Sequence, residues 1–178
     1  ATNQDTVAIM PVCVFEHGQA YTSDIMDAIA YASARGVQIV NCSWGSIDNN
    51  PALKETIENA DMLFVCAAGN ARSDLTVTPI FPASFDLDNI ISVASVNGDG
   101  GISYFSNYSI DRVDIAALGR NIISTLPEGE YGAQSGTSMS AAVVSGAAAA
   151  VLSKDYLSSN ELKQRLVKTA DVLSNLQD

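Results

Sequence analysis

The chain has few of the residues that would assign it to many other classes. Its 178 residues include nine Lys and Arg against twenty Asp and Glu, one histidine, one tryptophan and a formal charge of −11. That shortage of basic residues argues against nucleic acid, which wants a basic face. An acidic surface of this kind mostly keeps a protein in solution. Three cysteines, Cys13, Cys42 and Cys66, sit in apolar runs without metal-type or thioredoxin-type spacing. They are expected to be buried free thiols, not a disulfide framework, which leans toward a reducing compartment. No basic-then-apolar leader opens at Ala1, so no signal peptide is expected in this chain. The apolar run Ala141–Leu152 is short, interrupted by Ser145 and Gly146, and mostly alanine. It reads as a core helix, and no membrane contact is expected.

What is present is an apolar, sparsely charged chain: 47% hydrophobic and 16% charged. That length and composition fit one folded domain over residues 1–178. Short apolar runs alternate with amphipathic ones. Val7–Phe15 has strand length and is apolar throughout. Residues 22–36 follow as a helix, with Thr22 or Ser23 as N-cap and Gly36 as the stop. Residues 37–43 read as a strand, 51–60 as a helix with Pro51 in its first turn, and 62–70 and 89–95 as two more strands. Doubly apolar strands joined by helices predict an α/β fold with a parallel sheet covered on both sides. Residues 97–125 read as short strands and loops. Helices are expected at about 138–153 and 159–170, the last capped by Ser158 or Ser159.

Function in such sheets gathers at the carboxyl ends of strands. Three places there carry small or polar residues. Ser138, behind a glycine at the head of an uncharged helix, sits where unpaired amides and the helix dipole favour negative charge, which suits a nucleophile. The plain alternative is that Thr137 or Ser138 is only an N-cap. Asn70, after Ala67-Ala68-Gly69, has an amide able to donate to an oxyanion, or is a turn asparagine. Ser43-Trp44-Gly45 is either an exposed edge for an extended peptide or a strand-end turn. A nucleotide-binding sheet is excluded, since no Gly-rich phosphate loop follows the first strand.

Together the three places resemble one family. Gly136-Thr137-Ser138-Met139 is similar to the nucleophile motif of the subtilisin-like serine proteases (subtilases, peptidase family S8). Ala67-Ala68-Gly69-Asn70 is similar to their oxyanion-hole motif, and Asn41-Cys42-Ser43-Trp44-Gly45 to their substrate strand. The connecting stretches 81–96, 104–109, 113–127 and 131–139 keep the family's look and order. The resemblance implies a three-layer α/β fold, a mostly parallel subtilisin-like sheet with helices on both faces. It implies a serine endopeptidase acting by acyl transfer on peptide or protein substrates. Ser138 would be the nucleophile, with Asn70 and the Ser138 amide as oxyanion donors. Ser43, Trp44, Gly45 and Thr137 would contact substrate, and Ala67, Ala68 and Gly69 would line a roomy pocket.

The family's base and orienting carboxylate come from an Asp-(Thr/Ser)-Gly turn and a His-Gly-Thr-His stretch, and neither occurs here. Asp5-Thr6-Val7 lacks the glycine and reads as a polar approach to a strand. His17, the one histidine, reads as a surface-turn residue. The closing helix of the family is also missing after residue 178, so the match is to a partial peptidase domain, truncated at both ends. Ala142, Val143 and Leu118 stand where the family usually has proline, histidine and proline. No cofactor or metal is expected from this chain; calcium is possible in the complete family domain. The resemblance suggests secretion and the free cysteines a cytoplasmic site, so the compartment stays open. An upstream segment, a companion chain or self-association is expected to cover an open edge at Val7–Phe15. The alternative function is an inert scaffold of the same fold that binds extended peptides.

Overall fold

The computed structural model describes residues 7–173 and Leu176; the approach at Asp5 and Thr6 lies outside the described residues. Helix α1 spans Thr22–Ala34, strand β1 Ile39–Cys42, helix α2 Pro51–Glu58, strand β2 Leu63–Ala67 and strand β3 Ile90–Val96. Strand β4 spans Ile115–Leu118, β5 Ile122–Thr125 and β6 Tyr131–Gln134, followed by helix α3, Thr137–Leu152, and α4, Ser159–Thr169. The first four strands form a parallel sheet in the order β1-β2-β3-β4. A separate antiparallel hairpin, β5–β6, was not legible from pattern and leads directly into α3.

Strand periodicity assigns the two faces. Phe64 and Cys66 of β2 pack with Ile25 and Ile29 of α1 and Leu53 and Ile57 of α2. Leu63, Val65 and Ala67 pack on the other face against Ala141, Val144 and Ala148 of α3 and Leu162 and Leu166 of α4. All five β2 residues are buried, which is why that strand reads as a continuous apolar run. Burying each large apolar side chain contributes on the order of 1.5–3 kcal/mol. The inward positions of α3, Thr137, Ser140, Ala141, Val144 and Ala148, fall at helical spacing. Their small size lets the helix lie close across the sheet. Ala142 and Val143 face outward, so these departures from the family pattern leave the core untouched.

Three expectations need correction. The three cysteines are not all buried: Cys13 is an exposed thiol, and only Cys42 and Cys66 are buried. Val7–Phe15 is not a strand: it has no ladder partner among the described residues, and most of it is exposed. Met10 and Val14 rest on the α1 side of the core, while Ile9, Val12 and Phe15 face solvent. Apolar character sufficed for that contact, but a strand needs a neighbour to complete its hydrogen bonds, and Pro11 supplies no donor. On the side nearest Val7–Phe15 the sheet ends at β1, which pairs only with β2 among the described residues, and on the other side it ends at β4. Nor do Thr22 and Ser23 cap α1. Tyr21 occupies the N-cap without a side-chain bond, and its carbonyl receives the amides of Asp24 and Ile25.

Helix α4 follows the expected rule. The Ser158 hydroxyl accepts from the Glu161 amide, and the Glu161 carboxylate accepts from the Ser158 amide at 2.9 Å, completing a capping box. Those bonds from Ser158 hold the Glu161 carboxyl below its usual range. A carboxylate with a lowered folded-state pKa stabilises above its unfolded value, and that stability is lost as pH falls through the folded value. Replacing Ser158 with alanine should lower stability by about 1 kcal/mol, read as a shift of the urea midpoint at constant m. Acidification below the carboxylate range should speed amide exchange in the first turn of α4.

Candidate active site

The sheet brings the carboxyl ends of β1 and β2 to the head of α3, where Ser43, Gly69, Asn70 and Ser138 line a common cleft of about 290 Å³. Helix α3 starts there because Gly136 turns the chain in from the β5–β6 hairpin. The Gly136 amide donates to the Gly119 carbonyl at 2.8 Å, fixing that entry against the loop after β4. Neither Thr137 nor Ser138 is an N-cap; Gly136 holds that position and no side chain caps the helix.

The first-turn amides of α3 are divided among different tasks. Thr137 N donates to Asn70 Oδ1 at 2.9 Å. Met139 N and Ser140 N return to the Gly136 carbonyl. The Ser138 amide has no partner among the described residues. The Ser138 hydroxyl donates to the Ser43 carbonyl at 3.1 Å, and the Ser43 hydroxyl donates to the Ser138 carbonyl at 2.9 Å. A reciprocal pair of bonds thus holds Ser138 against the end of β1. Asn41 steadies Ser43 through a 2.8 Å bond.

Thr137 borders the cleft and also ties its two sides together. It is fully buried, and its hydroxyl accepts from the Gly69 amide at 3.0 Å while donating to Asn70 Oδ1 at 3.1 Å. Its side chain therefore holds the Asn70 loop against the head of α3. With Oδ1 committed twice, the exposed Asn70 carboxamide is oriented so that Nδ2 is the uncommitted end. Ala67 and Gly69 line the cleft with Trp44 and Gly45. Ala68 is the exception: it is fully buried behind the wall. His17 sits in an exposed turn closed by Glu16 and Gln19, at φ +51°, as the sequence suggests.

Sequence reasoning missed Asn107. It is buried, and its Oδ1 accepts from the amides of Ala71 and Ser73 at 2.9 and 3.0 Å. Its Nδ2 donates to the Ala68 carbonyl at 2.8 Å, and its own amide donates to the Gly69 carbonyl at 2.9 Å. Gly69 has φ +105°, and a Cβ there would meet Asn107 Nδ2, so this position requires glycine twice over. One buried side chain thus shapes the whole turn that presents Asn70. Within the sequence Asn107 was one polar residue in the turn-rich stretch Tyr104–Ser109, with no periodicity to mark it.

The arrangement offers a hydroxyl on a half-buried helix end, flanked by two uncommitted N–H donors, the Ser138 amide and Asn70 Nδ2. Donors so placed can stabilise charge developing on a carbonyl oxygen. The cleft has no titratable side chain among its described lining residues, and no cluster of three metal-ligating side chains occurs among the described residues.

A family model for the subtilases matches residues 4–178. The chain belongs to the subtilase family. This subtilase chain is 36% identical over 176 residues to the major intracellular serine protease of Bacillus subtilis, covering 96% of this chain and 53% of that protein. It is 36% identical over 169 residues to subtilisin-like protease 3 of Plasmodium falciparum, covering 83% of this chain and 22% of that one. The chain therefore spans about half or less of these relatives. Among solved structures, a cold adapted subtilisin-like serine proteinase superposes with a TM-score of 0.80 at 27% identity, over 91% of this chain and 59% of that one. The three-layer subtilisin-like α/β architecture is thus shared. Replacing Asn107 with alanine strands two amides and a carbonyl, and should cost about 1–3 kcal/mol. The urea midpoint should fall and the Ala71 and Ser73 amides should lose exchange protection.

Proposed function

We propose that the chain is the nucleophile-bearing core of a serine endopeptidase. Ser138 Oγ attacks a peptide carbonyl, and Asn70 Nδ2 with the Ser138 amide receives the oxyanion. A base takes the Ser138 hydroxyl proton as Oγ attacks and passes it to the leaving amine, and a carboxylate orients that base. The base and carboxylate come from a segment or companion chain outside residues 1–178. The observation that carries this reading is the Thr137 clasp. Its bonds to Gly69 and Asn70 bring the helix head and the loop after β2 to one cleft and leave two donors free there. The ends of β1 and β2, Ser43–Gly45 with Ala67 and Gly69, hold the substrate backbone and its side chain. The open edge of β1 is where the additional segment, a companion chain or a second copy lies.

In this reading Ser138 in the isolated chain keeps its hydrogen bond to the Ser43 carbonyl and is a weak nucleophile. A residual rate of about 1,000–10,000-fold over water is the most expected, the level left by an oxyanion hole and binding alone in the triad template. Supplying the coding region upstream of Ala1 should restore labelling of Ser138 by a serine-directed phosphonate. Labelling should vanish in Ser138→Ala. In the complete protein, Asn70→Ala should reduce kcat about 100–1,000-fold, a magnitude taken over from the corresponding donor of a subtilisin. If the complete gene product binds extended peptides yet resists the phosphonate, the chain is a binding scaffold instead.

A further inference from the structure

The cleft beside Ser138 has a wall at the end of each of two strands, and each wall carries a glycine. Gly45 lines it after β1 and Gly69 in the turn after β2. Two bare backbones bordering one space would leave room for a large side chain, as the small residues of these motifs suggest. Ile80, from the loop between β2 and β3, lines the same cleft. A Cβ placed on Gly45 would stand 2.5 Å from Ile80 Cγ2, closer than two carbons can approach, and one on Gly69 would stand 3.7 Å from Ile80 Cγ1. The two branches of one isoleucine thus reach both walls and take up the space between them. Ile80 is half-buried, and it packs with neither core layer among the described residues.

We propose that Ile80 is a specificity-determining residue, and that the substrates are peptides with a small side chain, of the alanine, glycine or serine class, just before the scissile bond. This role of Ile80 rests on the endopeptidase reading of Ser138. Size, rigidity and chemistry each favour that class. The whole cleft measures about 290 Å³, at the lower end of the roughly 300–1,000 Å³ range of ligand clefts, and it has to hold substrate backbone beside Ser138 as well. The Ile80 amide donates to the Ser84 hydroxyl at 3.1 Å, and its carbonyl accepts from the Ser84 amide at 2.8 Å. Phe81 and Ser46 exchange two backbone bonds, at 2.7 and 2.8 Å, which tie the residue after Ile80 to the residue after Gly45. A β-branched side chain is stiff at χ1, so neither the backbone nor the side chain of Ile80 swings aside for a longer group. No titratable side chain lines the cleft among its described residues, so shape decides, not charge. An apolar pocket separates substrates by about 10–200-fold per methylene, and phenylalanine exceeds alanine by a whole ring.

The test uses the complete protein, with the region encoded upstream of Ala1, and two serine-directed phosphonates that differ only in the side chain next to phosphorus, one alanine-like and one phenylalanine-like. The alanine reagent should label Ser138 at least about 10-fold faster than the phenylalanine reagent. Ile80→Gly should raise the phenylalanine-to-alanine rate ratio by at least about 10-fold, with Ile80→Ala in between. Ile80→Val, which keeps both γ carbons, should keep the preference for alanine. Both rates are read on the same folded population, so a variant that merely folds less completely lowers them together and leaves the ratio unchanged. If Ile80→Gly does not fold, the ratios of Ile80→Ala and the unsubstituted protein decide. Faster labelling of the unsubstituted protein by the phenylalanine reagent, or a ratio that moves in neither Ile80→Gly nor Ile80→Ala, would overturn the role of Ile80 and leave Ser138 as the nucleophile. Labelling by neither reagent would overturn the endopeptidase reading, and the role of Ile80 with it.

Discussion

The hydroxyl of Thr137 is the point on which the candidate site turns. It sits between the Gly69 amide and the Asn70 carboxamide, joining residues 67 and 68 positions apart in the chain. The Thr137 side chain is fully buried, so its end of these bonds is sheltered from water. They also do more than hold two loops together. By committing Asn70 Oδ1 and the Thr137 amide, they decide which donors are left over, namely Asn70 Nδ2 and the Ser138 amide. A site that has to stabilise charge depends on which groups remain uncommitted as much as on which are present.

The scaffold allows that arrangement because α3 is built of small residues and crosses the sheet closely. Its N-terminus is thereby delivered to the carboxyl ends of β1 and β2, where chain direction and helix dipole act on the same small volume. Behind the cleft runs a second, polar layer. The Ser95 hydroxyl meets that of Ser103 at 2.8 Å, Ser103 donates to Asn97 at 3.1 Å, and Ser106 accepts from the Ser95 amide at 2.9 Å while donating to the Asn107 carbonyl. Satisfied networks of this kind rigidify what they connect, and here they end at the residue that shapes the Asn70 turn.

The same two strands have a different character beneath the cleft. Their upper ends present hydroxyls and amides to solvent, and one step down they bury a pair of thiols in the α1–α2 layer. Strand alternation produces this directly: Asn41 and Ser43 flank Cys42, and Val65 and Ala67 flank Cys66, so neighbouring residues serve opposite faces.

Local pattern was enough for β1, β2, β3, α2, α3 and α4, because each has a periodicity or a cap that does not depend on distant partners; Ser158 with Glu161 is the clearest case. The three short motifs around Ser43, Asn70 and Ser138 were also legible, since their chemistry lies in residue types and their order. Other features were not. Val7–Phe15 has the composition of a strand and no ladder, because a strand is completed only by a neighbour. That Thr137 also clasps Gly69 and Asn70 was not legible. Asn107 lay in a stretch with the family's order but nothing singled it out from its neighbours. In each of these the deciding quantity is a hydrogen bond between residues far apart in the chain, and such a bond exists only once the sheet and α3 have been packed together. The sequence by itself determined which chemical groups were available, and the tertiary structure decided which of them were spent on one another and which were left free.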